Sequence, residues 1–352
     1  MIGTDLWQRR QFLASLGAAG ALAALPHGAL GAGKSAADKA YKPRRIDVHH
    51  HVLPPPYLAW EKLGKATFRT PLDISKWSLQ GCLDDMDKYG IATSIVSWPD
   101  LNGNNPGDWL DVVRACNEWM AQIARDHPGR FGSFSTLPLP NADACLKEIA
   151  YAFDTLHVDG MRATPSYSGK YLGHADFQPV WDELNRRKGV VFVHPTQPQC
   201  CGPILPEAPS ATLEFPFDTT RAITSLLLTG TLSKFPDIRW IFSHGGGTLP
   251  MLAGRIAGTA KFKPDVAARL PHGPIYELQK LYVDTASAYF PYSWAGMMAL
   301  NGPHKILFGT DDPYIKVAEV DKGMAALNLP LALRKAVDRE NALPLFPRLK
   351  SA

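Results

Sequence analysis

Four of the eleven histidines in this 352-residue chain stand at the ends of short apolar runs. His49 and His51 close the run that begins at Ile46, His194 follows Val190–Val193, and His244 follows Ile238 through Ser243. Asp311-Asp312 ends a further run that begins at Lys305. A single histidine is more often a satisfied structural residue than a ligand, and that reading suits His127, His157, His174, His272 and His304, which lie in helical or loop sequence. It suits the strand-end set poorly, because a polar group buried there without a partner is costly. Side chains alternate along a strand, so His49 and His51 share one face and His50 points to the other. Two imidazoles so placed chelate one ion. His194 and Asp311 complete a nitrogen-rich set with one carboxylate and space for water or substrate. This donor set is expected to hold one divalent ion in an open catalytic site, zinc by preference, with manganese or iron as alternatives.

Such residues need a scaffold that brings distant strand ends together. From Arg45 onward, β-rich runs alternate with helix-like stretches. The runs are 46–51, 92–98, 131–137, 159–164, 190–194, 238–244, 281–285 and 305–311. Each is short and apolar, as expected for strands buried on both faces. Between them, amphipathic stretches at 79–89, 111–126, 142–156, 177–188 and 219–234 predict helices, the first stopped by Gly90. Eight strand–helix repeats predict a closed (β/α)8 TIM barrel, in which chemistry sits at the C-terminal strand ends. A doubly wound open sheet is the alternative. The strand count and the lack of a Gly-x-Gly-x-x-Gly turn after the first strand count against it.

The first 42 residues stand apart as a signal and linker, leaving 43–352 for the barrel. Arg9-Arg10-Gln11-Phe12-Leu13 and the small apolar run that follows predict a twin-arginine export signal and a periplasmic location. That run is too short for a stable membrane span, and a disordered tail is the plainer alternative. Thirty-seven basic and 33 acidic residues, spread out and giving a net charge of +4, offer no nucleic-acid footprint. The five cysteines fit no disulfide framework, and Cys200-Cys201 reads as two thiols in a loop.

Four stretches together resemble the amidohydrolase superfamily, in the branch of 2-amino-3-carboxymuconate-6-semialdehyde decarboxylase and the γ-resorcylate and 6-methylsalicylate decarboxylases. They are Ile46-Asp47-Val48-His49-His50-His51, Val191-Phe192-Val193-His194-Pro195, Phe242-Ser243-His244-Gly245-Gly246-Gly247 and Leu307-Phe308-Gly309-Thr310-Asp311. The resemblance implies that His49, His51, His194 and Asp311 are the ligands of one metal ion, and that His244 acts in acid–base chemistry beside it. No lysine ends the fourth strand, where two-metal relatives carry a bridging one; Arg162 and Thr164 stand there. Arg255 falls where decarboxylases of the branch place an arginine that reaches the neighbouring subunit's site, which implies a homodimer. A helix-surface arginine is the alternative.

The resulting expectation is a non-oxidative decarboxylase of an aromatic or conjugated (hydroxy)carboxylic acid. Asp311 or His244 protonates the ring carbon before carbon dioxide leaves, and Asp47 orients a ligand histidine from behind. Trp98, Arg162, Phe215, Phe217 and Tyr289 are expected beside the substrate, and the resemblance implies that Arg255 binds its carboxylate. Two rivals use the same residues: a metal-dependent hydrolase of an ester, lactone or C–C bond, and a non-catalytic carboxylate- or metal-binding protein.

Overall fold

The computed structural model describes residues 41–63, 73, 76–99 and 109–351. The export-signal stretch lies outside them. The chain divides between Lys42 and Pro43, and the barrel lies in Pro43–Ala352.

Eight parallel strands follow one another around a single sheet. They are β1 (Arg45–His51), β2 (Ile91–Ser97), β3 (Phe131–Thr136), β4 (Gly160–Ala163), β5 (Val190–Val193), β6 (Arg239–Phe242), β7 (Tyr282–Asp284) and β8 (Ile306–Leu307). The first and last also meet. Val48 N donates to Phe308 O at 3.0 Å, Asp311 N to His49 O at 2.7 Å, and His51 N to Asp312 O at 2.6 Å. The sheet is thus a nearly closed barrel.

The continuous apolar character of the runs has its cause in two sets of contacts. Ile46, Val48, Ile95, Phe134, Phe192, Ile241 and Leu307 meet one another in one buried cluster. Such filling makes a barrel interior a packed core and not a pore. Their neighbours Met161, Val191, Val193 and Phe242 pack instead with residues of the surrounding helices, such as Trp181, Ile223 and Leu226. Ala342, Leu345, Phe346 and Leu349 join the interior cluster, so the C-terminal segment plugs the N-terminal mouth.

Helices fill most of the predicted gaps: Leu79–Lys88, Trp109–Asp126, Ala142–Tyr151, Gln178–Arg186 and Glu214–Leu228. The first begins because Ser78 accepts a hydrogen bond from Gly81 N at 3.0 Å, satisfying one orphan donor. Three elements differ from expectation. The stretch 142–156 changes at Ala152 from an α-helix to a π turn that ends at His157. The helix expected at 219–234 starts five residues earlier, at Glu214, and breaks at Gly230, whose φ is 79°. Only Ile306–Leu307 of the last run is regular strand. Beyond it, side chains share in the pairing: Gly309 N donates to Thr285 Oγ1 at 3.0 Å and Thr310 N to Asp47 Oδ1 at 3.1 Å. That departure lets the chain turn inward at Asp311.

Candidate metal centre at the C-terminal mouth

His49, His51, His194, His244 and Asp311 converge at the C-terminal ends of the strands. Asp311 lies at their centre. Its Oδ1 stands 3.1 Å from both His49 Nε2 and His51 Nε2, and 4.0 Å from His194 Nε2. Its Oδ2 stands 3.2 Å from His244 Nε2. Ligand atoms of His49, His194, His244 and Asp311 all fall within 4.8 Å of one another, and His51 Nε2 adjoins them at 3.2 Å from His49 Nε2.

The backbone is bent to make this possible. His244 and Asp311 both take positive φ, 54° and 67°, a conformation that costs a non-glycine residue about 1–3 kcal/mol and persists only where surroundings enforce it. Gly309 permits the segment after β8 to lie close against β1 and β7. A Cβ there would lie 2.9 Å from the Cβ atoms of His49 and Asp284.

A carboxylate sets the ring of His49. Asp284 Oδ2 accepts from His49 Nδ1 at 2.9 Å, while its Oδ1 accepts from the backbone N of His244 and Ala286. This leaves His49 Nε2 facing the cluster, the arrangement in which a carboxylate orients a ligating imidazole. Asp284 was not among the residues expected from sequence. Its signal was a carboxylate set inside the apolar run 281–285. Asp47, expected in that role, does something else. It accepts from His49 N at 3.0 Å and from Thr310 Oγ1 at 2.6 Å, and faces the ring of His50 at 3.3 Å. The cause is a register irregularity between Asp47 and His50, which puts these two on the same side of β1, away from His49 and His51.

The electrostatics are those of a crowded cation site. Burial opposes charge on His49, yet Asp284 and Asp311 outweigh it and raise its pKa to about 10. Burial lowers His51 to about 3, against the pull of Asp311 and with help from His49 and Arg162. Burial and the neighbouring His51, His49 and Arg162 also hold His194 well below its ordinary range. Asp311 is driven well below the usual carboxylate range; burial opposes this, and His49 and His244 outweigh it. His51 and His194, uncharged beside the ionised Asp311, are in the protonation states a metal ion requires, and a cation at the cluster would take the place of the proton on His49 Nε2. The buried Nε2 of His194 has no hydrogen-bond partner and adjoins the cluster. The residues therefore fit a divalent cation.

Above them lies a cavity of about 990 Å³. Its lining takes in His51, Arg162, His194, His244 and Asp311, together with Phe215, Ala288, Met297 and Ile315. Arg162 is buried; its Nη2 stands 3.2 Å from His194 Nδ1, and its Nη1 donates to the carbonyl of Trp98. Several aromatic expectations are corrected. Trp98 offers the site only that carbonyl: its ring is fully buried, 5.6 Å from Tyr57, because the strand ends one residue earlier and turns it into the core. Tyr289 lies against Gly323 and Phe290, outside the lining, whereas Ser287, Ala288 and Tyr292 line the cavity. Phe217 is 42% exposed on its helix; Phe215 and Pro216, on the preceding part of the turn, face the cavity. Arg255 is exposed on helix Leu249–Phe262 and does not line the cavity of its own chain.

A family model described as amidohydrolase matches residues 46–348, which takes in all eight strands but for Arg45. The chain belongs to the amidohydrolase family. This amidohydrolase is 35% identical to decarboxylase macB of Penicillium terrestre over 336 residues, covering 87% of the chain and 96% of the relative. It is 34% identical to 6-methylsalicylic acid decarboxylase of Penicillium expansum, covering 87% of the chain and 97% of the relative. A solved structure of 5-carboxyvanillate decarboxylase from Novosphingobium aromaticivorans, with bound manganese and 3-methoxy-4-hydroxy-5-nitrobenzoic acid, superposes with a TM-score of 0.75. That likeness covers 89% of this chain and 99% of the neighbour at 18% identity, and shows the shared fold.

Proposed function

We propose that this amidohydrolase is a metal-dependent, non-oxidative decarboxylase of an aromatic hydroxycarboxylic acid, 6-methylsalicylate or a close analogue. The observation that carries the reading is the position of Asp311, one oxygen among the imidazoles of His49 and His51 and the other on His244. A divalent cation held by His49, His51, His194 and Asp311 would supply Lewis-acid charge stabilisation to the substrate. The residues do the rest. His244 Nε2 stands 3.2 Å from Asp311 Oδ2, and one of this pair delivers a proton to the ring carbon that bears the carboxylate. The C–C bond then breaks, carbon dioxide departs, and the electron pair restores the ring. Phe215, Ala288 and Met297 hold the ring and exclude water.

Arg162 is the candidate partner for a substrate carboxylate. A His194 ring that gives Nε2 to a cation carries its proton on Nδ1, so Arg162 loses the lone pair to which it donates. Its guanidinium, which lines the cavity beside His194, is then placed to receive a substrate carboxylate. Arg255 and the exposed Met251 and Phe262 of the same helix, 85% and 81% accessible, support a homodimer in which Arg255 serves the partner's site. Three imidazoles with a carboxylate favour zinc; manganese is the alternative carried by the neighbour. Arg9-Arg10 supports export to the periplasm by the twin-arginine route, checked by fractionating cells that express the full chain against an Arg9→Lys, Arg10→Lys variant.

The test is mass-spectrometric turnover of a panel of hydroxybenzoates and lactones by metal-loaded protein, with Asp311→Asn as control. Release of carbon dioxide, lost in the control, is the expected outcome. Addition of water to a lactone would replace the reading with a hydrolase. Silence across the panel would leave a metal-binding protein.

A further inference from the structure

A second set of donors lies on the other side of β1. His50, Cys82 and Asp312 are all buried, and one ligand atom from each lies within 4.8 Å of the others. They come from three separate elements: β1, helix Leu79–Lys88 and the turn after β8. His50 Nε2 stands 3.5 Å from Asp312 Oδ2. Two donors each about 2.0–2.2 Å from a tetrahedral ion are separated by about 3.3–3.6 Å, so this spacing needs no rearrangement.

Three observations point to a ligand there. The fully buried His50 Nε2 has no hydrogen-bond partner. Its other ring nitrogen faces Asp47 Oδ2 at 3.3 Å, with Ser94 Oγ at 3.5 Å. Asp47 is itself held by Thr310 Oγ1 at 2.6 Å. A carboxylate on Nδ1 puts the proton there and leaves the Nε2 lone pair for a metal, as in carboxylate–histidine–zinc triads. The charges agree. With a divalent cation bound, the Cys82 sulfur and the Asp312 carboxylate would be the anionic donors of this buried place, and the cation would neutralise them. Asp85, three residues along the helix from Cys82, adds to the negative field at Asp312.

We propose that His50, Cys82 and Asp312 bind a second divalent cation, of the zinc class, with Asp47 orienting His50. The nitrogen–sulfur–oxygen set selects a borderline-soft ion over magnesium or calcium. The ion ties β1 to its flanking helix and to the segment after β8, where the barrel closes. Because alternate residues of β1 serve the two sites, this ion lies behind the strand and not in the substrate cavity.

The test uses full-length protein carrying Cys200→Ser and Cys201→Ser, which removes the exposed and half-exposed thiols. Protein is loaded with zinc or cobalt, desalted and assayed for metal. Two zinc ions per chain are expected, falling to one with Cys82→Ser and with Asp312→Asn. The cobalt form should show a near-ultraviolet thiolate-to-cobalt charge-transfer band, lost with Cys82→Ser. Only this site contains sulfur, so the band reports it whatever happens at the other. A parent protein without the band would overturn the proposal and leave His50 as an imidazolium between Asp47 and Asp312. A band that survives Cys82→Ser would overturn it equally.

Discussion

At the N-terminal mouth of the barrel, Arg45 is 2% exposed and surrounded by groups that match it. Asp338 Oδ1 accepts from its Nε at 3.1 Å, Asp321 pairs with its Nη1 at 2.7 Å, and Tyr89 O accepts from the same nitrogen at 2.9 Å. At the C-terminal mouth, four imidazoles crowd one carboxylate, and His194 keeps an unpartnered nitrogen. Both places bury charge. The lower one is satisfied by the chain alone, and the C-terminal segment seals it with Leu345, Phe346 and Leu349. In the upper one His194 Nε2 has no hydrogen-bond partner among the described residues, and the backbone takes positive φ at His244 and Asp311. Strain and incomplete pairing at one end of a barrel are affordable where the other end is closed.

That contrast can be broken experimentally. The largest effect should come from removing metal: chelation and desalting should abolish carbon dioxide release, and adding back zinc or manganese should restore it. Activity that survives complete demetallation, checked by elemental analysis, would end the upper-mouth assignment. Next, Asp311→Asn should lower turnover by about 10²–10⁴-fold through loss of the proton-delivering group. Its circular dichroism should be unchanged, since asparagine keeps the side-chain volume and the backbone bond from position 311 to His49 O.

Asp338→Ala should do the opposite. Leaving Arg45 buried with a weakened set of partners should cost about 3 kcal/mol, the low end for a broken buried pair because Asp321 persists. The change is read by urea denaturation, with turnover per folded molecule unaltered. A loss of turnover larger than the loss of folded protein would mean that the two mouths are coupled. The smallest effect is expected for Asp284→Asn, which should weaken metal affinity by about 10–100-fold while retaining the fold. Metal titration followed by equilibrium dialysis measures it, and an unchanged affinity would remove Asp284 from its orienting role.

Much of the site was legible because it obeys local rules. Apolar runs of the right length ended in His49, His51, His194, His244 and Asp311, and barrel topology gathers strand ends. What was not legible depended on which way a side chain turned after a local irregularity. The register shift between Asp47 and His50 moved Asp47 off the histidines it was expected to serve. Asp284, on a different strand 235 residues away in sequence, took that place at His49. Trp98 turned its ring inward where β2 ended at Ser97, and the bend after Gly309 brought Asp311 to the centre.

The amino-acid order by itself determined the number of strands, the faces that pack, and which donor types reach the C-terminal mouth. Periodicity and residue chemistry are local properties, and they survive without knowledge of neighbours. The tertiary structure alone decided which carboxylate holds which imidazole, which aromatic rings face the cavity, and that His50, Cys82 and Asp312 share one buried place. Those outcomes depend on bulges, positive-φ turns and contacts between residues far apart in sequence, where angstrom-scale shifts exchange one partner for another.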